Sequence, residues 1–345
     1  MRAMNILRES FTPRFSPRTK RITTAAALPL LAAAAFLAAL WLGSADVSLP
    51  NALRALFEGD FENVDCKIIF YVRLPRALGA LLAGAALAVS GVIIQAVLGN
   101  PMAAPNVIGV NAGAGFFAII SMAVLPKMIG YLPFAAFIGA LFAALLIYAV
   151  SAATGADRVT VTLVGVAVGS ILTAGINTVK TLFPDSVYDV SGFLIGGLSA
   201  VDLGDVLPAA WLIVPALALA LVLARGLDVL SLGEEVAASL GVTVKRARLL
   251  WLVLASVLAG AAVSYSGLIG FVGLIVPHLL RRLVGNSHKS LIFSSAFGGG
   301  AFLLVCDTAA RTLFAPYELP VGILLSLVGG PFFIFLVLGE RRARR

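Results

Sequence analysis

The chain has 345 residues, is 60% hydrophobic and only 12% charged, and has a mean hydropathy of +1.03. Soluble domains carry about 25% charged residues, so a soluble fold is excluded. The net charge of +8 does not indicate nucleic acid, because the charges lie between apolar runs and at the two ends, where membrane topology accounts for them. A transmembrane β-barrel would show ~10-residue segments alternating apolar and polar. Here the apolar runs are long and unbroken, as from Ala77 to Leu98 and from Trp211 to Ala224. The expected class is an all-α integral membrane protein in contact with membrane lipid and with no nucleic-acid partner.

In chain order, residues 1–21 hold six Lys or Arg and a Pro/Ser/Thr-rich stretch, which reads as a disordered cytoplasmic tail. The apolar run that follows is too long for the 7–15-residue core of a signal peptide. It is expected to be a retained first span. Ten apolar segments are expected, at 22–43, 74–97, 106–125, 131–151, 159–183, 206–226, 249–267, 271–284, 290–312 and 320–339. The eighth is short and contains Pro277, so it reads as a broken or half-crossing helix shielded by protein. With the N-terminus inside, inner segments carry 18 of the 25 Lys+Arg and outer segments seven, which predicts an N-in, C-in topology. The chain thus divides into the tail (1–21), a ten-span domain (22–339) with an inner loop at 227–245, and a basic cytoplasmic C-terminus (340–345). Gly109 with Gly113, Gly165 with Gly169, and Gly192 with Gly196 form GxxxG pairs, which let helices approach closely in lipid. Cys66 and Cys306 make no CxxC pair and no metal spacing, so no metal site is expected.

Three features carry chemistry. Arg73, Arg76 and Arg311 fall on the outer side, where basic residues are normally scarce. Such a cluster suggests an acidic partner docking from outside. The competing readings are snorkelling of Arg73 and Arg76 to lipid phosphates and an i,i+4 pair between Asp307 and Arg311. In the inner loop, Ser231 and Glu234 form an S-x-x-E capping box and Gly241 supplies a left-handed stop. They predict a helix of about two turns. Its adjacent acids, Glu234 and Glu235, disfavour lying on anionic lipid. The fifth span carries Thr162, Gly169, Thr173, Asn177 and Lys180 within about 80° of one another. Asn177 and Lys180 are costly in lipid, so this stripe is expected to face the bundle interior or a water-filled cavity; packing through small residues is the alternative. Lys180 offers a positive charge to an anionic chelate. The dipeptide Gly-Lys never occurs, so the lysine cradle of a GxxxxGK[ST] phosphate loop is missing, and HExxH and GxSxG are missing too. No enzymatic activity is expected, and any energy from ATP must come from a separate subunit.

Seven strings resemble the FecCD-type permeases of ABC importers, which carry ferric siderophores, haem and cobalamin. They are Arg73-Leu74-Pro75-Arg76; Gly84 to Gly91 followed by Gln95-Ala96; Asn100 to Pro105; Leu232 to Gly241; Gly270 to His278; Asp307 to Arg311; and Glu318 to Gly322. They run in the family's order. The resemblance implies a type II ABC importer permease architecture in the bacterial inner membrane, with two permease chains (a homodimer or a paralogue pair). Two cytoplasmic ABC ATPase subunits would hold ATP and Mg, and this chain no cofactor. It further implies that Arg73, Arg76 and Arg311 receive acidic residues of a soluble or lipid-anchored substrate-binding protein. Leu232, Gly233, Glu234, Glu235, Ala238, Leu240 and Gly241 would dock into the ATPase, and the fifth and tenth spans would line the pathway. The cytoplasmic gate would fall at Asp157, Arg158, Val159 and Thr160, where related permeases often have small hydroxyl residues. The Pro277-His278 pair belongs to the family pattern whatever the cargo and reads as structural. The alternative is an ion-coupled secondary transporter, which needs inverted repeats and paired charges at mid-membrane; Asp307 is its main candidate.

Overall fold

The computed structural model describes residues 17–343 apart from 46, 59, 61, 126–130 and 154–157. Every regular element among the described residues is a helix. The α-helices in chain order are α1 (Pro17–Trp41), α2 (Leu49–Glu58), α3 (Val64–Lys67), α4 (Leu74–Leu98), α5 (Val110–Val124), α6 (Leu132–Ala153), α7 (Arg158–Leu182), α8 (Asp185–Ile195), α9 (Leu203–Ser231), α10 (Glu234–Ser239), α11 (Val244–Ser266), α12 (Val272–Val284), α13 (His288–Thr312) and α14 (Val321–Ala343). Seven stretches are long and apolar enough to cross a membrane: α1, the continuous α3–α4 stretch, α6, α7, α9, α11 and α13. The apolar helices Val110–Val124 and Val321–Leu336 are shorter, and α12 has 13 residues. These ten elements fall on the ten expected segments, the eighth again the short one.

The second segment starts earlier than its hydropathy suggests. Helix runs from Val64 onward, through a π-helical stretch at Ile68–Arg73 that joins α3 to α4. The reason is Pro75, which lacks an N–H and crowds the carbonyl four residues back. Widening the turn before it, with the Leu74 N–H donating to Ile69 O five residues back, keeps the helix continuous.

Helix α4 is the centre of the bundle, buried over nearly its whole length against α13, α11, α12 and α9. Its Ala-rich sequence favours helix, and its missing side chains let neighbours approach. A Cβ at Gly84 would lie 2.2 Å from Gly299 O, and one at Gly91 would lie 2.0 Å from Gly273 O. The GxxxG expectation holds only in part. Gly113 packs on Gly139 of α6, but Gly169 and Gly192 face open space. Gly109 and Gly196 adopt positive φ, at 69° and 85°, and sit at helix ends. Spacing along one helix does not determine where its neighbours lie.

Candidate functional site

The antiparallel pair α4 and α13 defines two ends of the bundle. At one end lie Arg73, Arg76, Asp307, Arg311 and Glu318. At the other lie Gln95, Asp228, Arg281, His288 and α10.

The arginine end is a closed ionic cluster. Arg76 opens α4 and faces the last turns of α13. Its Nε donates to Asp307 Oδ2 at 2.9 Å and its Nη2 to Asp307 Oδ1 at 3.0 Å, a bidentate fork. Its Nη1 donates to Glu318 Oε2 at 2.6 Å, and Ser44 Oγ donates to Glu318 Oε1 at 2.6 Å. Burial opposes the charge on Glu318, but the Ser44 hydrogen bond and the Arg76 guanidinium outweigh it and hold the carboxyl below the ordinary carboxylate range. Arg73 donates to the carbonyls of Leu40, Trp41 and Ala45 at 2.9, 2.5 and 2.6 Å. It thereby satisfies carbonyls that the end of α1 leaves open. Arg311 donates to Ala39 O, with its Nε 3.9 Å from Asp307 Oδ2.

Arg73, Arg76 and Arg311 are only 3, 5 and 3% exposed. The expectation of arginines presented at the surface therefore needs correction. They are spent on internal partners, so they neither snorkel nor stand free. The i,i+4 relation of Asp307 to Arg311 exists but is long; the short partner of Asp307 is Arg76. Asp307 and Glu318 lay inside strings read from the sequence, yet nothing local identified them as partners of Arg76.

At the opposite end, α9 stops at Ser231, and Gly233 at φ 108° turns the chain into α10. The expected capping box does not form. Ser231 still belongs to the last turn of α9 and its Oγ donates to Asp228 O at 2.7 Å, leaving α10 without a side-chain cap. Gly241 does stand at positive φ, 83°, just after the helix. Ala237 faces inward, while Leu232, Glu234, Glu235, Val236, Ala238 and Leu240 are exposed. Arg248 Nη2 donates to Glu234 Oε1 at 2.5 Å, tethering α10 to α11. A cleft of about 580 Å³ lies beside it, lined in part by Tyr148, Val161, Glu235 and Lys245. Nearby, Arg281 Nη2 donates to Gln95 Oε1 at 2.9 Å, and Gln95 Nε2 donates to Gly273 O at 3.2 Å, tying α12 to α4. His278 stands edge-on to Phe332, ring centres 6.0 Å apart.

The α7 stripe does not face this chain's own interior. Thr173 and Asn177 are exposed, and Thr162, Gly169 and Lys180 are half-buried. Around them Leu163, Val166 and Ile171 are exposed as well. The sequence located the polar stripe; the described residues cover it only in part. Helix α14 likewise leaves Leu327, Ile334 and Phe335 exposed. Of the gate residues, Asp157 lies outside the described residues. Arg158 and Val159 begin α7, and Thr160 is half-buried.

The FecCD transport family matches residues 30–339. The hemin transport permease HmuU of Yersinia pestis is 38% identical over 312 residues, covering 88% of this chain and 93% of that protein. The cobalamin import permease BtuC of Halobacterium salinarum is 42% identical over 280 residues, covering 80% and 74%. The Fe(3+)-citrate import permease YfmE of Bacillus subtilis is 38% identical over 277 residues, covering 80% and 83%. A solved chain from an inward-facing ABC transporter of the metal-chelate type superposes with a TM-score of 0.78 at 28% identity, covering 92% of this chain and 99% of that one. With its apolar helices, its buried glycine contacts and these relatives, the chain is a non-catalytic, multi-pass protein of the bacterial inner membrane and belongs to the FecCD transport family.

Proposed function

We propose that this chain is the permease subunit of a binding-protein-dependent ABC importer that moves a metal chelate inward. Ferric siderophore is the leading cargo class, followed by haem and cobalamin. A separate ATPase, in two copies, powers it, and a second permease chain completes the conduit.

The observation that carries this reading is α10. It is a six-residue helix held at one end of the bundle, with Leu232, Val236 and Leu240 exposed beside the acids Glu234 and Glu235. Exposed apolar side chains on a short tethered helix suit insertion into a partner's cleft. The uncovered faces of α7 and α14 support the second chain. The arginine end is the proposed seat of the binding protein. There the ionic cluster holds the surface in shape, and Glu318, with its side chain 31% exposed, lies at its edge. The secondary-transporter alternative needs paired charges at mid-membrane, whereas its candidate Asp307 pairs with Arg76 at one end of the bundle, beside Glu318.

Reconstitution tests the proposal. Proteoliposomes containing this chain, its ATPase and its binding protein should take up chelate only with ATP. Uptake without the ATPase would overturn it. The ligand of the cognate binding protein identifies the cargo.

A further inference from the structure

We propose that Asp228 and His288 form a positioning pair that fixes the root of α10 to α13, so that movement of α10 reaches the helix that holds Asp307 and Arg311. The proposal rests on the reading of α10 as the element that engages the ATPase.

One carboxylate oxygen serves two bonds. Asp228 Oδ1 accepts from the backbone N–H of His288 at 2.9 Å and lies 2.7 Å from its Nδ1. Ser287, which precedes α13, makes no side-chain cap bond, so Asp228 reaches in from α9 to satisfy an open N–H of α13. Its negative charge also suits a helix N-terminus. The His288 ring is buried, and its Nε2 has no hydrogen-bond partner among the described residues. Asp228 is thus the ring's polar anchor and places the proton on Nδ1.

The same residue stands at the root of α10. Asp228 lies in the last turn of α9, its carbonyl accepts from Ser231 Oγ, and only Leu232 and Gly233 separate that turn from α10. Gly233 is the pivot, and Asp228 is the fixed point behind it. From His288 to Asp307 the α13 axis rises about 28 Å at 1.5 Å per residue. Midway, α13 is locked to α4, since a Cβ at Gly299 would lie 2.3 Å from Gly84 O. A stiff helix therefore has α10 anchored near one end and the ionic cluster at the other. A plain structural cap would need only an acceptor at position 228; a positioning pair also needs a donor where Nδ1 stands.

The test exploits that difference in the reconstituted complex, reading chelate imported per ATP hydrolysed. His288→Asn places an amide nitrogen near the position of Nδ1, whereas His288→Gln places it near that of Nε2. The expected result is a wild-type ratio in His288→Asn and at least about a fivefold loss in His288→Gln and Asp228→Ala, the size of an ordinary coupling energy. Unfolding midpoints of the Asn and Gln variants should agree. Wild-type ratios in His288→Gln and Asp228→Ala would overturn the proposal, as would losses that follow stability alone. Should the histidine variants not accumulate, Asp228, its side chain 40% exposed, carries the test. Asp228→Asn keeps an acceptor and should keep the ratio that Asp228→Ala loses while the unfolding midpoints of the two agree; equal ratios, or a loss that follows stability, refute the pair. Absence of ATP-dependent uptake by the wild type would instead remove the functional reading.

Discussion

Replacing Asp307 by Leu should destabilise the bundle more than replacing Arg76 by Leu, and both should be large effects. The order follows from the charges. Three arginines, Arg73, Arg76 and Arg311, meet two acids, Asp307 and Glu318. Removing Asp307 strips Arg76 of two hydrogen bonds, deprives Arg311 of its nearby acid, and leaves three cations with one carboxylate. Removing Arg76 leaves two acids with two arginines, one of them 3.9 Å from Asp307. Breaking a buried pair by deleting one partner costs about 3–5 kcal/mol, whereas replacing both with apolar groups is often close to neutral. The Arg76→Leu/Asp307→Leu double variant should therefore lose less than the sum of the singles, with an interaction energy of about 0.5–3 kcal/mol. Unfolding by SDS titration from mild detergent measures each member of the cycle. Single effects below about 1 kcal/mol, additive in the double, are what exposed ion pairs give. That result would refute the closed cluster and restore the arginines to an open surface.

Glu234→Lys with Glu235→Lys should lower binding-protein-stimulated ATP hydrolysis by at least about fivefold while costing at most about 1 kcal/mol in unfolding, the worth of a half-exposed ion pair such as Glu234–Arg248; unaltered stimulation would remove α10 from coupling. Gly91→Leu should prevent accumulation in the membrane, because its side chain would collide with the Gly273 backbone, whereas Gly169→Leu meets open space and should spare the single chain while weakening the proposed two-chain assembly; a folded Gly91→Leu protein would contradict the packing described, and an unchanged assembly state in Gly169→Leu by native mass spectrometry would contradict the proposed second-chain contact at α7. Glu318 is held below its ordinary value of 4.5, so its contribution to stability is fully present above that value and is lost as pH falls through the lower folded value. In Glu318→Gln, that acid-side loss should disappear from unfolding curves taken across the same window.

What the sequence made legible divides by how local the cause is. Helix α10 was read from the Ser231–Glu234 spacing and the stop at Gly241, of which the stop holds, and α12 from its short apolar run. Even there the cap failed, since Ser231 had a nearer acceptor in the turn it was finishing. The arginine cluster was visible as residues in an unusual place but not as a structure. Arg76 meets Asp307 across 231 positions and Glu318 across 242, and a count of charges by side says nothing of such partners. Asp228 and His288, 60 positions apart, carried no signal at all. The α7 stripe is a third case. Periodicity states which residues share a face, and Thr173 and Asn177 do share one. What covers that face is decided by other helices. Among the described residues Thr173 and Asn177 stay exposed, although Asn177 is too polar for lipid. A polar face beside exposed Leu163 and Val166 suits neither lipid nor water alone, and the proposed second permease chain enclosing an aqueous path would give it a surface that is part protein and part water.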